Sequence, residues 1–224
     1  TLSLTTFEID TTSPTVSEVT VVTDPTNDTT PNVTFSSSED GTASYGGSCS
    51  STTTSVSSGN NTVALKGASS DTLTDNTTYS DCTVTVTDEA GNVSDSITIT
   101  EFTVDTTAST LVEVTAVTTP TNDTTPDYSF SSSQTGTITY GGSCTSDNSS
   151  AAASDNNTIT LKESDNSTLD EGTYSDCTIT VSDNASNSAV TLNISSFVID
   201  TTAPTVTSTS PSNSDDITSP SSSI

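Results

Sequence analysis

Leu73-Thr74-Asp75-Asn76-Thr77-Thr78-Tyr79-Ser80-Asp81-Cys82 returns, one residue shorter, as Leu169-Asp170-Glu171-Gly172-Thr173-Tyr174-Ser175-Asp176-Cys177. In both copies a turn-rich run leads to a tyrosine, then a cysteine, and then to apolar residues alternating with threonine. Cys82, Val84 and Val86 share one parity, and a period of two marks a half-buried strand. Tyr79 has the other parity, which predicts a one-residue bulge between Tyr79 and Cys82.

The whole chain repeats at the same offset. Tyr79 and Tyr174 are 95 positions apart, as are PTNDTTP at Pro25 and Pro120, and YGGSC at Tyr45 and Tyr140. The phrase F-x-(I/V)-D-T-T opens at Phe7, Phe102 and Phe197 with the same spacing. Self-similarity at a fixed period marks an array of like units. The expected division is the G strand of a preceding repeat at 1–13, repeat one at 14–108, repeat two at 109–204 and the start of a following repeat at 205–224. So divided, the chain reads as a length cut from a longer array.

Within repeat one, alternation predicts strand A at 16–22, B at 33–36, C at 42–49, E at 62–65, F at 82–87 and G at 93–104. No stretch has helical periodicity. Short antiparallel strands at this rhythm, six or seven in ~95 residues, predict an all-β fold of tandem immunoglobulin-like β-sandwiches. The opening stretch also resembles the E–F corner of immunoglobulin domains, where an acidic residue, a glycine and a tyrosine precede a strand-F cysteine. Strand G breaks phase in every copy: Leu2 and Leu4 against Phe7 and Ile9, Ile97 and Ile99 against Phe102 and Val104, Leu192 and Ile194 against Phe197 and Ile199. A second bulge is expected there, and residues 1–10 read as a G strand whose own repeat is missing.

Composition narrows the function classes. Val, Ile, Leu and Phe together make less than a fifth of the chain, which with high net charge would by itself suggest disorder. Regular placement of Phe, Tyr and Cys argues instead for a folded unit with a thin core. A net charge of −27, with Lys66 and Lys162 as the only cations, excludes electrostatic partnership with nucleic acid or anionic lipid. No apolar run approaches the ~18 residues of a membrane span. The two lysines each follow a strand-E leucine, and their parity points them outward, where lysine guards a strand against edge pairing rather than forming a cross-link. Sequons such as Asn32-Val-Thr and Asn193-Ile-Ser are what so Asn-, Ser- and Thr-rich a chain produces by chance.

Four cysteines fall two per repeat, Cys49 with Cys82 and Cys144 with Cys177, each pair 33 positions apart. An even count without histidine reads as disulfides formed in an oxidising compartment, with zinc the weaker alternative. Repeat symmetry favours pairing within each repeat, which would link neighbouring C and F strands.

The acids suggest a cation. Asp10, Asp105 and Asp200 end the three G strands, Asp28 and Asp123 lie in the A–B loops, and Asp88 with Asn92 and Asp183 with Asn187 form the F–G turns. In a sandwich, the A–B loop and the end of G lie at the bottom, and the F–G and B–C loops at the top. End-to-end stacking is then expected to bring Asp28 and Asp105 to Asp183 and Asn187. Loop oxygens without nitrogen or sulfur donors suit Ca²⁺. Taken singly, each of these residues is an ordinary turn former.

The phrases F-x-(I/V)-D-T-T-A-P, NDTTP and (T/S)D-x-A-x-N together resemble the tandem immunoglobulin-like repeats of giant bacterial surface adhesins. That resemblance implies calcium bound at domain junctions by Asp28, Asp105 and Asp183, with Asn187, holding successive domains in line. The cysteines depart from that family's pattern. The expected role is a non-enzymatic extracellular stalk, whose partners are neighbouring repeats or identical subunits. Catalysis is disfavoured because histidine and a Gly-rich phosphate loop are absent. A self-assembling filament or sheath subunit is the alternative, through the lone G strand at 1–10. A glycan- or ice-binding module is the third reading; it needs an exposed face of ordered Thr or aromatic side chains, at which Tyr128 hints.

Overall fold

The computed structural model describes residues 8–151 and 155–206. They form an all-β structure, with no helix among the described residues. Its first half runs β1 (Val16–Thr20), β2 (Asn32–Ser37), β3 (Gly41–Gly46), β4 (Cys49–Ser50), β5 (Ser55–Val56) and β6 (Gly59–Ala64). It continues with β7 (Lys66–Gly67), β8 (Thr77–Tyr79), β9 (Thr83–Thr87), β10 (Ile97–Thr98) and β11 (Phe102–Val104). The same order follows as β12 (Leu111–Thr115), β13 (Asp127–Ser132), β14 (Gly136–Gly141), β15 (Cys144–Thr145), β16 (Ser150–Ala151) and β17 (Asp155–Thr160). It closes with β18 (Lys162–Glu163), β19 (Gly172–Tyr174), β20 (Thr178–Asp183), β21 (Leu192–Asn193) and β22 (Phe197–Ile199). Leu2, Leu4 and Phe7 of the expected first G strand, and 207–224 of the expected last repeat, lie outside the described residues.

Each half has a three-stranded sheet, ordered β1-β2-β6 or β12-β13-β17, and a four-stranded sheet, ordered β10-β9-β3-β5 or β21-β20-β14-β16. Alternation explains both. In β2, Val33, Phe35 and Ser37 turn inward and Thr34 and Ser36 outward; in β9, Val84 and Val86 are buried between three half-exposed threonines. The inward faces of both sheets meet in one buried cluster per half, with Phe35 and Phe102 fully covered in the first and Phe130 and Phe197 in the second. Burying each such ring contributes about 2–3 kcal/mol.

Three of the repeated phrases meet at one place. Tyr79 stacks on Phe102 with ring centroids 5.5 Å apart. Gly47 turns the chain between β3 and β4 at φ 73°, and a Cβ there would lie 2.0 Å from the Asp81 carbonyl oxygen, so only glycine fits. That approach lets the Ser48 N–H and hydroxyl donate to the Asp81 carboxylate at 3.1 and 3.0 Å. Cys49 then bonds Cys82, and Cys144 bonds Cys177. β4 pairs with β7, the continuation of β6 beyond Leu65, rather than with β9. The bridge therefore ties the far end of the β6 side to the head of β9, not two neighbouring strands of one sheet as expected.

The expected bulges are elsewhere. Phe102 faces Tyr79 and Ile97 faces Val84, so the register between the two strands is the same on both sides of the phase break. No residue is inserted; both strands kink together, and the continuous G strand expected at 93–104 is interrupted between β10 and β11. The inserted residue sits in strand A instead: Glu18 pairs with Phe35 but Thr20 with Thr34, leaving Val19 extra. Val114 repeats this in β12. The two irregularities are linked, because the Glu18 carboxylate beside the bulge accepts from the Thr100 N–H and hydroxyl, the latter at 2.6 Å, at the kink. Glu113 does the same for Ser195.

Candidate functional site

The acidic residues converge at the ends of the units. Asp10, Glu39 and Asp88 bring one carboxylate oxygen each within 4.8 Å of one another, with Asp10 exposed, Glu39 half-buried and Asp88 buried. Three features of local sequence put them there. Asp10 holds its own turn by accepting from the Thr12 N–H at 2.9 Å. Glu39 lies on the tight B–C connection between β2 and β3, which Ser37 braces by donating to the Glu39 carbonyl. Asp88 is fixed inside the F–G turn by the Asn92 N–H at 2.7 Å and the Asn92 amide at 2.8 Å, while Gly91 takes φ 95°. Asn92 also donates to the Asp10 carbonyl at 3.2 Å, joining the incoming segment to the turn.

Electrostatics separates the three carboxylates. Hydrogen bonds from Asn92, its side chain first, hold Asp88 below the ordinary Asp range. Glu39 is pushed above the ordinary Glu range by burial, then by the charges of Asp10 and Asp88. Like charges this close repel unless something positive enters. Glu8, Asp40 and Glu89 line the same cleft, bringing its carboxylates to six.

The counterpart positions between the two units are Asp105, Gln134 and Asp183. Asn187 repeats the role of Asn92, donating to the Asp105 carbonyl at 2.8 Å and to Asp183 at 3.1 Å. Asp183, like Asp88, is buried. The expected meeting of Asp105 with Asp183 and Asn187 is thus present. The hydrogen bonds of Asp28 are local: its carboxylate accepts from the Thr30 N–H at 2.8 Å and caps its own exposed turn. Asp123 does the same with Thr125. These two loops instead secure the G-strand end, since Thr26 donates to the Thr103 carbonyl and Asp105 to the Thr26 carbonyl. Asp200 caps Thr202 at the end of the described chain.

Glu39 was missed by sequence reading, although the B–C loop was expected at the same end as the F–G turn; its place opposite Gln134 at the fixed offset was the available signal. Asp75 was missed as well. Its carboxylate accepts from the Thr106 N–H at 2.6 Å and the Thr107 hydroxyl at 2.8 Å, and these bonds hold it below the ordinary Asp range. Glu171 grips Thr201 and Thr202 in the same manner. Tyr128 is fully buried, so it provides no exposed aromatic face. Outward hydroxyls pair with each other, Thr34 with Thr62 and Ser129 with Thr158, both at 2.8 Å. Lys162 forms an ion pair with Asp147 at 2.5 Å. No protein-family model matches the sequence, and no curated protein matches it.

Proposed function

We propose that the chain is a structural segment of an extracellular stalk or fibre, built from tandem immunoglobulin-like sandwiches with disulfides inside each unit and calcium at the Asp10 end of the first unit. The observation that carries this reading is the double grip on the connecting segment. Asp75 of the first unit holds Thr106 and Thr107, and Asn187 of the second holds Asp105. Connections within a chain are otherwise small enough to flex, and a segment fixed from both sides transmits orientation along an array. Disulfides and the absence of a long apolar helix among the described residues suit an oxidising, extracellular setting. The work is mechanical, with no reaction and no catalytic group.

The Asp10, Glu39 and Asp88 cluster is the best-formed cation site, because Ca²⁺ favours several charged oxygens on loops and here relieves their repulsion. The test is calorimetric titration of the chain with CaCl₂. Asp10→Asn and Glu39→Gln are expected to weaken binding by roughly tenfold or more, and Asp28→Asn to leave it unchanged. Absence of heat, or equal affinity in the Glu39→Gln chain, sinks the calcium part of the reading.

A further inference from the structure

The two joints differ in chemistry although they align residue for residue. At the offset of 95, Glu8 becomes Thr103, Glu39 becomes Gln134, Asp40 becomes Thr135 and Glu89 becomes Asn184, while Asp10 and Asp88 remain as Asp105 and Asp183. Four of the six carboxylates lining the first cleft are therefore neutral at the second. We infer that the joint between the two units closes through hydrogen bonds and requires no cation.

The bonds that would do this are present. The Gln134 amide nitrogen donates to an Asp105 carboxylate oxygen at 3.3 Å, a contact that Glu39 has no proton to make with Asp10. Asn187 takes the Asp105 carbonyl at 2.8 Å, shorter than the 3.2 Å between Asn92 and Asp10. On the upstream side Asp75 holds the next two residues, and downstream the Ser133 hydroxyl accepts from the Thr110 N–H at 2.9 Å. The segment 105–110 is thus held by neutral donors and by carboxylates that each already have a donor. Repulsion, the reason to recruit a divalent ion, is largely gone. The Gln134 backbone carbonyl accepts from the Ser132 hydroxyl at 2.7 Å, which fixes the loop that presents the amide to Asp105, and only the side-chain Oε1 is left buried without a hydrogen-bond partner.

Spin labels on Glu101→Cys and Val190→Cys, one on each side of the joint and with the native bridges intact, measure the outcome as a distance distribution. A narrow distribution in EDTA, unchanged on adding CaCl₂, is expected. Gln134→Glu should broaden it in EDTA and make it narrow again with CaCl₂. A distribution that is broad in EDTA and sharpened by calcium in the unaltered chain overturns the inference, as does one that is broad in both. Failure of Gln134→Glu to broaden it overturns the charge argument. Titration of the Asp10 cluster is read separately, so loss of the calcium reading leaves this result interpretable.

Discussion

Removing one disulfide should unfold one unit far ahead of the other. The Cys49–Cys82 bridge closes a loop with a sequence separation of 33. On the chain-entropy relation, a loop of that size removes about 12–13 cal/mol/K from the unfolded ensemble, equivalent to about 4 kcal/mol at 25 °C. Both sulfurs are buried, so the change to alanine also loses packing. A unit of about 95 residues unfolds with an entropy near 0.2 kcal/mol/K, so about 4 kcal/mol lowers its Tm by about 20 °C. That is a large part of the ~5–15 kcal/mol typical of a whole domain, and the core here is thin. Differential scanning calorimetry of the Cys49→Ala/Cys82→Ala chain should therefore show two separated transitions, the upper one unshifted. The Cys144→Ala/Cys177→Ala chain should show the mirror pattern. A shift below about 5 °C, or both transitions moving together, refutes the idea that each bridge staples an independent unit.

Two tyrosines of similar burial should respond in opposite ways. Tyr79→Phe removes the acceptor of the Thr74 N–H, now bonded at 2.7 Å, and should cost about 1–3 kcal/mol, read as a lower urea midpoint. Tyr128→Phe removes a buried hydroxyl that reaches no partner at hydrogen-bond geometry, so it should be neutral or stabilising; a loss above about 1 kcal/mol would mean that Glu113 does bind it. Stability should fall on acidification. Asp75 is lowered by the Thr106 and Thr107 bonds, Glu171 by those from Thr202 and Thr201, and Glu113, despite its burial, by those from Ser195. Depressed carboxylates contribute stability above their unfolded values of 3.8 for Asp and 4.5 for Glu, and lose it as pH falls through the folded values. Glu39 has the opposite sign: its raised value means that stability is lost as pH rises past 4.5. Urea midpoints in EDTA should therefore drop below about pH 4, and Glu39→Gln should raise the neutral-pH midpoint of its unit; a midpoint that climbs on acidification contradicts the assignment.

The period, the all-β class and the cysteine pairs were legible because each depends on residue type at a fixed spacing. The kinks were misread for a physical reason. A parity break in one strand looks the same whether a residue is inserted or the strand bends, and only the partner's register separates the two. Tyr79 and Cys82 break phase opposite Phe102 and Ile99, which cancels the insertion. The true bulge at Val19 gave no clear signal, because Val16, Val19, Val21 and Val22 fit either phase. The role of Asp28 was not legible, since a carboxylate in NDTTP serves its own turn, as here with the Thr30 N–H, and spacing carries no information about which way it faces.

Residues that recur unchanged and residues that vary between units have different duties. Gly47, Asp81, Tyr79 and Phe102 each contact a partner inside the unit, and at Gly142, Asp176, Tyr174 and Phe197 the glycine approach, the serine hydroxyl–aspartate bond and the ring stacking recur. Altering either ring would open the core, and a Cβ at the exposed glycine would clash with the Asp81 or Asp176 carbonyl. Glu39 and Gln134 occupy the same place on the B–C connection but face a neighbouring segment, so either residue is compatible with folding of its own unit. The exchange acts on the joint alone: a glutamate adds a charge that must be balanced from outside, and a glutamine supplies a donor that balances Asp105 from within. On the stalk reading proposed above, an array composed this way keeps one fold throughout and sets the stiffness of each joint separately, through a few loop side chains that the core does not constrain.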